Sequence, residues 1–174
     1  MSKVFETSIA VREIEEEERE LVRQLIIESY RQYEHFFEKD RWENYLAELK
    51  ASVDNEKIDK LLIATNRGNI VGTMQIFLSS DDAYDVPDIQ INEPIIRFLA
   101  VHPNGRGLGI ARKLIDAGIA YTKARKASAI YLHTTDVMEK AVSLYEKYGF
   151  VREETQDYVK SGTFIKCYKF TVKN

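Results

Sequence analysis

Between Val101 and Ala111 the chain reads Val-His-Pro-Asn-Gly-Arg-Gly-Leu-Gly-Ile-Ala, a glycine turn with an arginine inside it. It follows an apolar run, Ile95 to Val101, and leads into a segment with helical periodicity. Gly107 and Gly109 remove side chains where the backbone bends into the first helical turn. A helix start leaves about four amides unpaired and carries partial positive charge, so the turn can cradle a pyrophosphate, with Arg106 as an added charged donor. The ligand class that this implies is a phosphate-bearing cofactor.

Several nucleotide folds share a strand, a glycine turn and a helix, so their residues must be compared. A P-loop needs Gly-Lys followed by Ser or Thr, whereas Gly109 is followed by Ile110 and Ala111. A dinucleotide fingerprint needs a third glycine where Arg112 stands, and it usually opens a βαβ unit instead of following three strands. A glycine turn with no ligand is the remaining alternative, and a second block counts against it. Arg106-x-x-Gly109-x-Ala111 matches (Q/R)-x-x-G-x-(G/A), preceded by Val101-x-Pro103. Ala141 to Phe150, Ala-Val-Ser-Leu-Tyr-Glu-Lys-Tyr-Gly-Phe, matches A-x-x-L-Y-E-K-x-G-F. Together these resemble the GNAT superfamily of acetyl-CoA-dependent N-acetyltransferases, over roughly Leu61 to Phe170. The first 60 residues agree only in the pattern strand, helix, helix.

The resemblance implies a cofactor pose. Pantetheine lies along Leu99, Ala100 and Val101, and the pyrophosphate lies over amides of Gly107, Leu108, Gly109, Ile110, Ala111 and Arg112. It also implies direct acetyl transfer to an amine, with strand backbone donors polarising the thioester carbonyl. Tyr145 resembles the tyrosine that protonates the departing thiolate, although by itself it reads as a core tyrosine on an apolar helix face. His133 lies on the strand where several members carry a glutamate. It is the candidate base for the acceptor amine, with Glu93 behind it and water as a further route. Two departures stand out: Met138, three residues before Ala141, replaces a common Asn, and Ile95 stands where some members have a central-strand glutamate.

These residues need a scaffold. Ile9 to Ile14 reads as an edge strand, and Glu15 to Glu18 as the acidic opening of a helix with Leu21, Val22, Leu25, Ile26 and Ser29 on one face. Asp40 is a suitable N-cap for a second helix carrying Trp42, Tyr45, Leu46 and Leu49. The aromatic linker Tyr30, Tyr33, His35, Phe36 and Phe37 fits the core or a lid over a pocket. Leu61 to Thr65 and Ile70 to Leu78 form a hairpin across Asn66-Arg67-Gly68-Asn69. Ser79 to Pro94, with four Asp and two Pro, reads as a long surface excursion. Ile95 to Val101 reads as a buried central strand, and Arg97 is expected to pair with a carboxylate of the excursion. A helix follows through Lys126, then a strand at Ala129 to Thr134. Asp136 and Glu139 form a capping-box pattern for a helix that Gly149 ends, and Val151 to Tyr158 with Thr163 to Val172 closes a hairpin. The fold class is therefore α/β (α+β): a mixed, mostly antiparallel sheet of six to seven strands flanked by about four helices.

Composition bounds the rest. The 174 residues, 44% of them apolar, suit one domain over 1–174. A net charge of −3 argues against nucleic acid as a partner. The single Cys167 reads as a core thiol. With no apolar leader core in Met1 to Glu20 and no membrane-length apolar run, a cytoplasmic protein is expected. No metal is expected. The acceptor is a small-molecule or peptide amine, its specificity lying in Tyr30 to Phe37, Ser79 to Pro94 and the hairpin at Tyr158. C-terminal strand edges offer a surface for a homodimer. The competing functional class is a catalytically silent acyl-CoA-binding sensor or scaffold.

Overall fold

Arg67 and Gly68 take left-handed φ angles of 52° and 84°, the geometry that lets a two-residue turn follow strand twist. They join β2 (Lys60–Asn66) to β3 (Asn69–Phe77). In this computed structural model residues 8–173 are described. Met1 to Thr7, part of the stretch read for a leader, and Asn174 lie outside them. The remaining strands are β1 (Ile9–Glu13), β4 (Ile95–Val101), β5 (Ala129–Thr134), β6 (Val151–Arg152), β7 (Tyr158–Lys160) and β8 (Thr163–Thr171). The sheet order is β1-β2-β3-β4-β5-β8-β6, with β7 on β8. All pairs are antiparallel except β4 with β5. The helices are α1 (Arg19–Tyr30), α2 (Lys39–Ser52), α3 (Ser80–Ala83), α4 (Ile110–Ala124) and α5 (Glu139–Tyr148). None among the described residues is long and apolar enough to cross a membrane.

The buried residues form three clusters, the third holding Phe77, Ile89, Ile91, Ile95 and Cys167, and strand alternation separates the two larger ones. Leu62, Ala64, Met74, Ile76, Ile96, Ile130 and Leu132 meet Ile110, Leu114 and Ile115 of α4 and Tyr145 of α5. Leu61, Ile63 and Ala100 meet Val22, Leu25 and Ile26 of α1 and Trp42 and Leu49 of α2. Full burial of such aliphatic side chains stabilises by about 1.5–3 kcal/mol each. Small residues set how close α4 comes. A Cβ on Gly72 would sit 2.7 Å from Ile110 Cγ2, and one on Gly118 would sit 3.2 Å from Met74 Cε.

The structure corrects several sequence expectations. The acidic run first forms a 3-10 turn, Glu16–Glu18, because the Glu18 carboxylate accepts the Glu15 N–H at 2.9 Å and Arg12 at 2.7 and 2.8 Å. Helix α2 starts one residue before Asp40, after Glu38, with no side-chain cap. The 79–94 excursion is anchored: Ser80 Oγ takes the Ile91 N–H at 2.8 Å, and Ile89 and Ile91 are buried. Asp136 forms no capping box. Helix α5 begins after Met138, and the Asp136 carboxylate accepts from Lys166 Nζ at 2.5 Å instead. A turn at Glu154–Gln156 splits the expected strand 151–158 in two.

Candidate active site

The site is made by a strand that leaves its neighbour. β4 pairs with β5 only at Ile95 and Ile96, so its later residues have no partner on that side. On the other side the register with β3 runs Thr73↔Ala100 and then Gln75↔Arg97, so Phe98 and Leu99 together oppose one residue. This bulge carries Phe98 at φ 50°, a left-handed conformation that costs a non-glycine residue roughly 1–2 kcal/mol. It re-aims the end of β4 at the start of α4. Nothing in the residue type of Phe98 announces it; the only sequence sign is Arg97 interrupting an apolar run.

A cavity of about 440 Å³ opens there, lined by Leu99 and Val101 of β4, the turn from Gly105 to Gly107, and Gly109 to Arg112. Helix α1 adds Ser29 and Tyr30, the 3-10 turn after it (Arg31–Phe36) adds Gln32 and Tyr33, and α5 with its approach adds Met138, Lys140, Ala141, Leu144 and Tyr145. Of the ten residues expected to hold cofactor, eight line it. Ala100 points into the core at 3% exposure, and Leu108 faces solvent at 47%. Tyr30 and Tyr33 belong to the aromatic linker expected at the core or over a pocket, whereas Ser29 was not anticipated here; its signal was a hydroxyl on an otherwise apolar stripe. Its Oγ donates to the Val101 carbonyl at 3.2 Å, tying α1 to the end of β4.

The turn has the geometry of an anion cradle. Gly107 and Gly109 have φ of 82° and 73°, and a Cβ on either would meet nothing within 4 Å. The first α4 bond here is Lys113 N–H to the Gly109 carbonyl at 3.1 Å, so the amides of Ile110, Ala111 and Arg112 precede the helical ladder. Arg106, Arg112 and Lys140 supply positive charge, and no Asp, Glu or His among the described residues lines the cavity. His102 props the turn from outside, with Nδ1 accepting the Asn104 N–H at 3.1 Å and Nε2 2.8 Å from Glu28. A pyrophosphate with a long apolar arm fits this donor set.

Tyr145 is 8% exposed and its ring packs on Phe150. Its hydroxyl has no partner among the described residues and is absent from the buried unpartnered atoms, so on this cavity wall it opens to the cavity. Burial pushes its pKa up, which keeps the proton on oxygen at neutral pH.

His133 lies elsewhere. Its Nε2 is 2.8 Å from the Gln156 carbonyl, which only accepts, so Nε2 carries the proton and Nδ1 receives the Tyr84 hydroxyl at 2.9 Å. Burial lowers its pKa, and Tyr84 and Tyr158 rings flank it. With both nitrogens engaged and no place on the cavity wall, it does not fit as a base touching the acceptor. Glu93 is also spoken for, accepting from Ser128 N–H, Ser128 Oγ and Ala129 N–H at 2.6–2.8 Å. Arg97 finds no carboxylate in the excursion. It donates to the Ala83 carbonyl at 2.6 Å and lies between the rings of Tyr84 and Phe98.

The chain belongs to the acetyltransferase (GNAT) family, whose model matches residues 14–150. It is 34% identical to N-acetylaspartate synthetase of Danio rerio over 101 residues, 58% of this chain and 33% of that one. It is 39% identical to mycothiol acetyltransferase of Paenarthrobacter aurescens over 57 residues, 33% of this chain and 18% of that one. The chain thus spans a third or less of these curated relatives. An acetyltransferase of the GNAT family from Staphylococcus aureus Mu50 superposes with a TM-score of 0.68 at 20% identity, covering 95% of this chain and 99% of that one. The PaiA N-acetyltransferase of Thermoplasma acidophilum, solved with coenzyme A, gives 0.68 at 18% identity, covering 94% and 99%. Both likenesses are of fold.

Proposed function

We propose that the chain is an N-acetyltransferase that moves an acetyl group from acetyl-CoA directly to a primary amine of a small molecule or peptide. The observation that carries this reading is that the glycine cradle, the free end of β4 and the open Tyr145 hydroxyl face one cavity. Acetyl-CoA supplies an activated thioester. Amides from Gly107 to Arg112 and the Arg106 guanidinium bind its pyrophosphate. The unpaired side of Leu99 to Val101 holds the pantetheine arm and orients the carbonyl. The amine nitrogen forms the new bond to the carbonyl carbon, the carbon–sulfur bond breaks, and Tyr145 gives its proton to the departing sulfur. Since no carboxylate or imidazole among the described residues lines the cavity, the amine proton leaves through water.

The names of the relatives, an N-acetylaspartate synthetase and a mycothiol acetyltransferase, support acetyl transfer in general without choosing the acceptor. That no Asp, Glu or His among the described residues lines the cavity favours one other reading, a silent acyl-CoA sensor. Titration calorimetry with acetyl-CoA and thiol release across an amine panel test both. No acetyl-CoA binding by folded protein overturns both, whereas binding without turnover on any amine leaves the sensor.

A further inference from the structure

Arg97 is a cation without an anion. Its guanidinium makes one hydrogen bond, to the Ala83 carbonyl, and no carboxylate among the described residues pairs with it. Tyr84 lies 4.8 Å from the guanidinium carbon and Phe98 lies 4.6 Å from it. Rings on both sides hold the plane and leave the edge, where the N–H donors are, as the direction of approach. None of its nitrogens is among the buried unpartnered atoms, so the donors not used by Ala83 reach solvent space. A planar fork of this kind matches a carboxylate in two parallel hydrogen bonds.

A second observation lies directly across the ladder. Gln75 is the register partner of Arg97, so the two side chains share a sheet face with Cβ atoms about 5 Å apart. Gln75 is 0% exposed, and both its amide nitrogen and its amide oxygen lack a partner. Leaving a buried polar group unsatisfied is costly, and an incoming acceptor atom would satisfy the Gln75 amide nitrogen. Neither side chain lines the cavity itself, but Arg97 connects to its wall through aromatic contacts. The Phe98 ring that supports Arg97 meets the Tyr30 ring at 6.3 Å, and Tyr30 lines the cavity wall.

We propose that Arg97 and Gln75 hold a carboxylate of the acceptor, which makes the acceptor a small amine of the amino-acid class. This rests on the transferase reading of the cavity. Arg97 and the cavity-lining Leu99 are two residues apart, and an extended chain spans at most about 3.5 Å per residue, so their Cα atoms lie within about 7 Å of each other even across the bulge. The carboxylate and the amine are therefore separated by a few bonds, as in an α- or β-amino acid, and not by a polymer backbone. Arg97 binds the two carboxylate oxygens, Gln75 donates its amide N–H, and the amine points toward the end of β4.

The test uses acetylated products, which need no turnover. Titration calorimetry of the CoA-loaded protein with N-acetylglycine and N-acetyl-β-alanine is compared with N-ethylacetamide, which lacks the carboxylate. Hydrogen bonds to a charged group contribute about 1.5–3 kcal/mol, so the carboxylates should bind roughly 10- to 100-fold more tightly. Arg97→Met should abolish the preference and leave CoA affinity unchanged, and Arg97→Lys should keep part of it. Gln75→Leu, which removes an unsatisfied amide without disturbing Arg97, should reduce the preference severalfold while the protein stays folded. No carboxylate preference in the wild type, or the same preference in Arg97→Met, overturns the proposal. Failure to load CoA at all overturns the transferase reading, and a carboxylate preference measured without CoA would still report on Arg97.

Discussion

Tyr145→Phe removes one oxygen from the cavity and little else. The Tyr145 hydroxyl has no partner among the described residues, and the ring contact with Phe150, at 5.9 Å between centroids, is retained. No hydrogen bond is lost in the folded state, so stability should change by no more than about 0.5 kcal/mol. For a chain of this size that is a shift of about 2 °C or less in Tm. The acetyl-CoA affinity should also hold, because the cradle amides and Arg106 are untouched. Turnover should fall by roughly 10²- to 10⁴-fold, the usual contribution of a positioned proton donor. The pKa of Tyr145 is raised by burial, so the group stays protonated across the neutral range. The ratio of wild-type to variant kcat should therefore be flat from about pH 6 to 9. Thiol release under saturating acetyl-CoA, calorimetry and thermal unfolding measure these three quantities. A kcat within threefold of wild type, or a loss matched by an equal loss of cofactor affinity, would refute the assignment of Tyr145 as the donor.

Gly72→Ala places a methyl 2.7 Å from Ile110 Cγ2, where α4 meets β3. Overpacking of this kind should destabilise by about 1–3 kcal/mol, and an unfolding midpoint equal to wild type would show that α4 has room to move. The folded-state pKa of His133 is lowered by burial, so the unfolded chain takes up its proton first as pH falls. Stability should decline from about pH 6.5 downward through the folded pKa. His133→Gln should flatten that part of the denaturation-versus-pH curve, and an unchanged slope would place the titration elsewhere.

Much of this molecule is written locally. The left-handed turn at Arg67 and Gly68, the end of α5 at Gly149, and the glycines that open α4 depend on residues a few positions apart, because backbone conformation and helix ends are short-range matters. The Ala141 to Phe150 block and the Arg106 to Ala111 turn were likewise legible, since a cofactor cradle is built from contiguous amides. What the sequence could not show is how distant pieces share space. The bulge at Phe98 arises from register against β3, and the gap beside it arises because β5 stops pairing after two residues. Ser29 and Tyr30, with Tyr33 in the turn that follows, reach the cavity because α1 crosses the end of β4. His133 and Glu93 looked like bases as isolated residues, yet each is committed to neighbours brought from remote segments, Tyr84 and Gln156 for one, Ser128 and Ala129 for the other. Arg97 shows the reverse. Its nearby acidic loop promised a salt bridge, but tertiary packing put aromatic rings on its faces and left its charge without an anion. A residue's type sets what chemistry it can do; which partners compete for it is decided by the packing of the whole chain.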